Sequence, residues 1–394
     1  MFACPALPRK FIARLVALVS LTWLAACDPS AMPGASSGGP SIDPNAPVRV
    51  ALLVPGNSGS SSDAFLASNL ENAARLAISD LGGVQIDLQV YNTGANAAGA
   101  SAAAVAAAND GAKIILGPLY AEAANAAGVA VASRGINVLA FSNNPTIAGG
   151  NVFILGPTFE NTANRLVSYG RSQGLSRYMV VHGADLGGEL GRAAIEQAVR
   201  RNGGSLVGVQ SYALSQEAIL GAAPAITAAA RSSGADAIFM TAGVNSDLPL
   251  LATALPEAGL SPESTQFIGL TRWNAAPQAL ALPGLQGGLF AIPDQGISSR
   301  FESRFAAAYG TSPHPLAGLA YDGIAAVGAL VAQGNRSALT GNALTTGAGF
   351  QGTSGVFRLR SDGTNQRGLA VATIQNNQVV ILDPAPRSFG GAGF

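Results

Sequence analysis

Arg49-Val50-Ala51-Leu52-Leu53-Val54-Pro55 is a near-continuous apolar run that stops at a proline and passes into Gly56-Asn57-Ser58-Gly59-Ser60. A run this short and apolar without alternation reads as a strand covered on both faces, and so belongs to a parallel sheet. The segment after it, Asp63 to Leu81, places Leu66, Leu70, Ala73, Ala77 and Leu81 on one stripe at helical spacing. Strand and helix then alternate: Ile86 to Tyr91, Ala95 to Asn109, Lys113 to Leu116, Ala121 to Arg134, Asn137 to Phe141 and Val152 to Leu155.

The pattern restarts at Arg177 to Val181. A helix over Glu189 to Arg201, a strand over Leu206 to Tyr212 and a helix over Gln216 to Ser232 follow, the last with Pro224 as a kink or break. Ala237 to Thr241, Leu248 to Ala258 and Gln266 to Leu270 complete this second series. A final section starts with a strand at Gly288 to Ile292, then helices over Ser299 to Tyr309 and Leu316 to Ala332. Short strands at Gly355 to Leu359, Gly368 to Ile374 and Gln378 to Leu382 close it. Ser361-Asp362-Gly363 and Asn376-Asn377 read as hairpin turns between them. Two successive series of this kind predict an α/β protein with two doubly wound parallel-sheet lobes.

Several stretches, in order, carry a resemblance: Val50 to Ser60; Ala73-Ala74-Arg75-Leu76-Ala77; Ile114-Ile115-Leu116-Gly117-Pro118-Leu119; Val138 to Asn144; Ala320-Tyr321-Asp322-Gly323-Ile324; and Phe350-Gln351-Gly352-Thr353-Ser354-Gly355-Val356-Phe357 with Asp362-Gly363. Together they resemble type 1 periplasmic binding proteins of the leucine-binding kind, from about Val48 to Leu382. The resemblance implies two lobes joined by a three-crossing hinge. Residues 47–157 plus 288–345 would form lobe one, and 158–287 plus 346–385 lobe two, with 386–394 as a loose tail. Open parallel sheets bind ligands beyond the carboxyl ends of their strands. In leucine-binding relatives the matching loops hold an amino-acid carboxylate, which points here to Tyr120, Ala121, Ser142, Asn143 and Asn144. Ser58 lies in a loop that either offers backbone N–H groups or is only a tight connection.

Lobe two departs from the relatives. Leu186 stands where they often carry a tyrosine, and Thr271-Arg272-Trp273 where they often carry an acidic residue. An α-amino group needs a carboxylate or an aromatic face. Asp185 is the nearest acidic candidate, and it equally suits a helix cap. Arg272 and Trp273 either face the cleft, favouring an anionic or sugar-like ligand or a protein, or are a solvated arginine and a half-buried tryptophan at a lobe edge. His182 and His314 are the only histidines; no metal-ligand spacing, nucleophile elbow or phosphate loop is present, and nothing calls for a cofactor or an enzyme.

The first residues give an address. Arg9, Lys10 and Arg14 precede the apolar run Leu15 to Leu24, and Ala25-Ala26-Cys27 closes it. This order reads as a secretory signal over 1–26, and the run is shorter than the roughly 20 residues a membrane span requires. Leu24-Ala25-Ala26-Cys27 resembles a bacterial lipobox, which implies cleavage before Cys27 and its acylation. Residues 27–46, rich in Pro, Gly, Ser and Ala, read as a flexible tether. Asp28 bears on whether the inner or outer membrane holds the anchor. Removing the signal leaves 19 Lys plus Arg against 22 Asp plus Glu, with Lys113 the only lysine. A mildly acidic chain without a basic face argues against nucleic acid. Two functions remain open. One is a solute-binding lipoprotein that takes a small polar, amino-acid-like ligand to an ABC permease. The other is a lipoprotein that activates penicillin-binding proteins through contact with a peptidoglycan synthase.

Overall fold

The computed structural model describes residues 39–390. Cys27 and the signal lie outside them. The first sheet has the order β2-β1-β3-β4-β5, from β1 (Val48–Val54), β2 (Ile86–Asn92), β3 (Ile114–Leu116), β4 (Asn137–Ala140) and β5 (Val152–Ile154). Every pairing in it is parallel. The near-continuous apolar run of β1 has the expected cause. Val50, Leu52 and Val54 enter one core, while Ala51 and Leu53 enter another on the opposite face. Helix α1 (Ser61–Asp80) covers the first face with Leu66, Leu70, Ala73 and Ala77. Helices α2 (Ala97–Asn109) and α3 (Ala121–Val131) cover the second with alanines, which lets them pack closely.

The chain then crosses to a second sheet. Helix α4 (Phe159–Ser172) opens it; the sequence reading placed no element there. Its signal was present: Thr158 caps it by accepting from Asn161 N, and Ala163, Leu166, Val167 and Gly170 are buried on one side. Then come β6 (Arg177–Gly183), α5 (Leu186–Arg201), β7 (Ser205–Tyr212), α6 (Gln216–Ser233), β8 (Ala237–Met240), α7 (Leu248–Glu257), β9 (Gln266–Gly269) and β10 (Leu289–Ile292). Helix α6 runs through Pro224 without a break. Pro224 lies on the exposed side, where water can satisfy the carbonyl it leaves unpaired.

After β10 come α8 (Gln295–Tyr309), α9 (Gly318–Val331), the short α10 (Gly341–Leu344), β11 (Phe350–Gly352), β12 (Gly355–Leu359), β13 (Asn365–Arg367), β14 (Ala370–Gln375) and β15 (Gln378–Asp383). The second sheet has the order β15-β14-β10-β9-β8-β6-β7, with β14 and β15 antiparallel at its edge. Asn376 and Asn377 both adopt positive φ, 51° and 61°, as the two-residue turn between β14 and β15 requires.

Four expected boundaries move. Residues 288–292 do not begin lobe one: β10 pairs in parallel with β9 and antiparallel with β14, because its four buried side chains need cover on both faces. Residues 350–359 stay with lobe one, since Phe350, Phe357 and Leu359 join the core shared by α1 and α9. The ends are tighter than expected as well. Within the segment read as tether, Ile42 is buried and its N–H donates to Arg336 O at 3.0 Å. Within the segment read as loose tail, Phe389 is buried, with the Arg358 guanidinium 4.7 Å from its ring centroid.

A polar network joins the crossings. Asn365 Nδ2 donates to Ile154 O and Gly156 O, both at 2.8 Å, and Asn161 Nδ2 donates to Asn365 Oδ1 at 2.6 Å. Buried Arg367 donates to Asp322 Oδ2 at 3.0 Å and to Leu155 O at 3.2 Å. Asp322 accepts in turn from Thr353 N at 2.7 Å. The first crossing leaves β5 and the second leaves β10, each at the carboxyl end of its strand. The loops at the carboxyl ends of both sheets therefore flank the crossings, the place where open parallel sheets bind ligands.

Candidate functional site

On lobe one three loops stand at the carboxyl ends of β1, β3 and β4. Asn57 and Gly59 take positive φ to turn the first. Ser58 Oγ accepts from Ser60 N at 3.1 Å, and Ser60 caps α1, so Ser58 serves its own loop. In the second loop Gly117 has φ 81°, and a side chain there would place its Cβ 2.3 Å from Leu53 O. Tyr120 follows at the N-cap of α3. Its hydroxyl donates to Asp63 Oδ1 at 2.6 Å, and that hydrogen bond to a carboxylate, together with burial, raises its pKa. Helices α1, α2, α4, α5, α6 and α8 each have a side-chain cap at the N-terminus. Helices α3, α7 and α9 have none; at α3 this leaves the N–H groups of the first turn, beginning at half-buried Ala121, free of a capping side chain. In the third loop Ser142 is buried and accepts from Asn144 N at 3.1 Å. Asn143 is exposed, and Asn144 Oδ1 accepts from Thr146 N at 3.0 Å.

On lobe two a pocket of about 410 Å³ opens above β6 and β8, between Phe159, Gly187, Leu214, Thr241 and Asp247. Asp185 Oδ1 accepts from Gly188 N at 2.8 Å and caps α5, the second of the two roles the sequence allowed. Leu186 is 76 % exposed and Leu214 53 %. Sequence reasoning missed Asp247 and Tyr212. Asp247 is buried and accepts from Gly243 N and Ser246 Oγ, both at 2.7 Å, and from the Tyr212 hydroxyl. Burial, then the hydrogen bond to this carboxylate, push the Tyr212 pKa up. No local motif marks the pair, because they lie 35 positions apart on different elements.

The segment after β9 divides. Thr271 Oγ1 donates to Ala242 O at 2.8 Å. Arg272 is exposed, and its guanidinium makes no hydrogen bond among the described residues. Burial lowers its pKa, and the charge of Glu302 on α8 partly offsets this. Trp273 corrects both expectations, since it neither faces the cleft nor sits half-buried at an edge. It is fully buried and stacks on Phe290 at 5.5 Å and 29°. Gly269 and Gly288 make room for it; Cβ atoms there would lie 2.1 Å and 2.4 Å from the indole. His182 is buried with Nδ1 2.9 Å from Gly183 O, a local contact. His314 packs edge-on to Phe65, and burial lowers its pKa.

The sequence profile described as periplasmic binding protein matches residues 47–378. This chain belongs to the periplasmic binding protein family. Its members of this type bind solutes and are not enzymes. Solved periplasmic binding proteins share the fold. One, assigned to branched-chain amino acid ABC transport in Rhodospirillum rubrum, has a TM-score of 0.71 at 17 % identity, over 86 % of this chain and all of the other. A branched-chain amino acid ABC transporter ligand-binding protein from Burkholderia xenovorans has a TM-score of 0.64 at 18 % identity, over 87 % and 97 % of the two chains. A substrate-binding protein from Desulfitobacterium hafniense in complex with Leu has a TM-score of 0.60 at 19 % identity, over 86 % and 100 %. No curated protein matches in sequence. Among the described residues no helix is long and apolar enough to cross a membrane.

Proposed function

We propose that this periplasmic binding protein takes up a small organic acid with an apolar body between its lobes and delivers it to an ABC permease. The single observation that carries this reading is the asymmetry of the cleft. Lobe one offers an anion the uncapped start of α3 and the polar loop around Ser142. Lobe two holds its two pocket carboxylates in local contacts: Asp185 Oδ1 caps α5, and Asp247 accepts three hydrogen bonds. Apolar Leu214 lines the pocket where the ligand body would lie, and Leu186, between the lining residues Asp185 and Gly187, is exposed. An α-amino group enclosed there would have to share carboxylates already engaged by the cap of α5 and by Gly243, Ser246 and Tyr212, which disfavours it. Acylation of Cys27 belongs to the same proposal and keeps the protein beside its permease.

The second reading, activation of a penicillin-binding protein, draws on the same exposed leucines, because a bare Leu186 also suits a protein partner. Thermal-shift measurements separate the two. Isocaproate, which is leucine without its amino group, should raise the melting temperature more than leucine does. No shift with any small acid, together with co-purification of a peptidoglycan synthase, would sink the transport reading.

A further inference from the structure

A second cavity, of about 620 Å³, shares no lining residue with the pocket above β6 and β8. Its walls are the outer face of α4, the end of α5, the hairpin β12–β13 and the chain from Asp383 to Ser388. Five of its lining residues are arginines, in a chain with 22 Lys plus Arg and 22 Asp plus Glu in all. Two of the five have structural work. Arg165 donates to Leu369 O at 2.6 Å and to Asp383 Oδ2 at 2.8 Å, while Arg367 belongs to the hinge network.

The other three are differently placed. The guanidinium groups of Arg201 and Arg387 make no hydrogen bond among the described residues, and Arg360 spends one N–H on Gln366 Oε1 at 3.3 Å. Glu160 is the lining carboxylate that remains, and Asp362, outside the lining and held by Thr364 N and Oγ1, offsets part of the charge of Arg360 and Arg201. Burial, with the nearby charges of Arg201 and Arg358, lowers the Arg360 pKa, an effect Asp362 partly opposes. Gathering like charges costs free energy that an anion would recover. The tail is held in place to form one wall: Phe389 is buried against Arg358, which fixes Arg387 and Ser388 beside it. Asn164, Ser168 and Ser388 add polar groups with no hydrogen bond among the described residues.

We propose that this cavity is a second binding site, for a small hydroxylated anion whose phosphate or carboxylate is held by Arg201, Arg360 and Arg387 and whose hydroxyls meet Asn164, Ser168 and Ser388. Guanidinium groups suit both anions because their N–H donors form a planar fork. The site does not depend on what the cleft binds.

Calorimetric titration of the full chain at low salt tests it, with glycerophosphate and glucuronate as probes and glycerol and glucose as their neutral counterparts. At least one anion should bind one-to-one where its neutral counterpart does not, and the tighter anion identifies phosphate or carboxylate as the preferred group. Arg201→Gln and Arg387→Gln, both at exposed positions, should each weaken that binding about tenfold, while Ser142→Ala in the cleft leaves it unchanged. The proposal is overturned if neither anion binds, if a neutral counterpart binds as tightly, or if both arginine variants keep full affinity.

Discussion

Asp322→Ala probes the hinge most sharply. Asp322 is 1 % exposed and Arg367 7 %. The substitution removes the carboxylate 3.0 Å from Arg367 Nη1 and the acceptor 2.7 Å from Thr353 N. Removing one partner of a buried ion pair costs about 3–5 kcal/mol, because the remaining charge is uncompensated. A buried amide left without an acceptor adds about 1–3 kcal/mol. Arg367 keeps Leu155 O and Ser354 Oγ, which holds the expected total near the lower part of that sum, about 4 kcal/mol. Urea unfolding followed by far-UV circular dichroism measures it, with unchanged slope as the check that both states are comparable. The double variant Asp322→Ala with Arg367→Met removes both charges, and it should lose less than Asp322→Ala alone. A single-variant loss below about 1 kcal/mol, or strictly additive losses in the double variant, would refute the reasoning.

Three further outcomes follow from named contacts. Gly288→Ala should destabilise by about 1–3 kcal/mol in the same assay, because its Cβ would lie 2.4 Å from the Trp273 ring. Asp185→Ala should cost about 1 kcal/mol through loss of the α5 cap while leaving ligand affinity within twofold, as calorimetry would show. Asp80 should give a pH signature. Hydrogen bonding from Arg304, at 2.8 Å for one contact, lowers its pKa, as does the Tyr321 hydroxyl, against an opposing effect of burial. A lowered folded value means stability that is present at neutral pH and lost as pH falls below the ordinary aspartate value of about 3.9 and through the folded one. Asp80→Asn should therefore cost up to about 1 kcal/mol at neutral pH and nothing in strong acid, read from melting curves across pH.

The layered architecture was legible because both sheets are covered on both faces, so strands such as Val50 to Val54 carry apolar side chains at nearly every position. Local chemistry was legible too: Asn376-Asn377 as a turn, and Asp185 as a residue suited to a cap. Lobe membership was not. Residues 288–292 and 350–359 are assigned by pairing and packing with distant partners, which no local pattern records. Trp273 misled for a related reason. It follows Thr271-Arg272, yet two glycines outside that segment, Gly269 and Gly288, open the space into which its ring folds. Helix α4 was hidden by its first turns, Glu160-Asn161-Thr162 and Asn164, whose residues include weak helix formers. In the site, the loops at strand ends could be placed from the sequence, but the engagement of Asp247 by Tyr212 and the convergence of Arg201, Arg360 and Arg387 exist only in the folded chain.

The most direct test of the cleft is a crystal structure of the full chain grown with isocaproate at saturating concentration. The ligand is predicted to lie between the lobes, its carboxylate within hydrogen-bond distance of the first-turn amides of α3 or of the Ser142 loop, and its apolar end against Leu186 and Leu214. An empty cleft, or isocaproate bound with its carboxylate turned toward lobe two, would contradict the account.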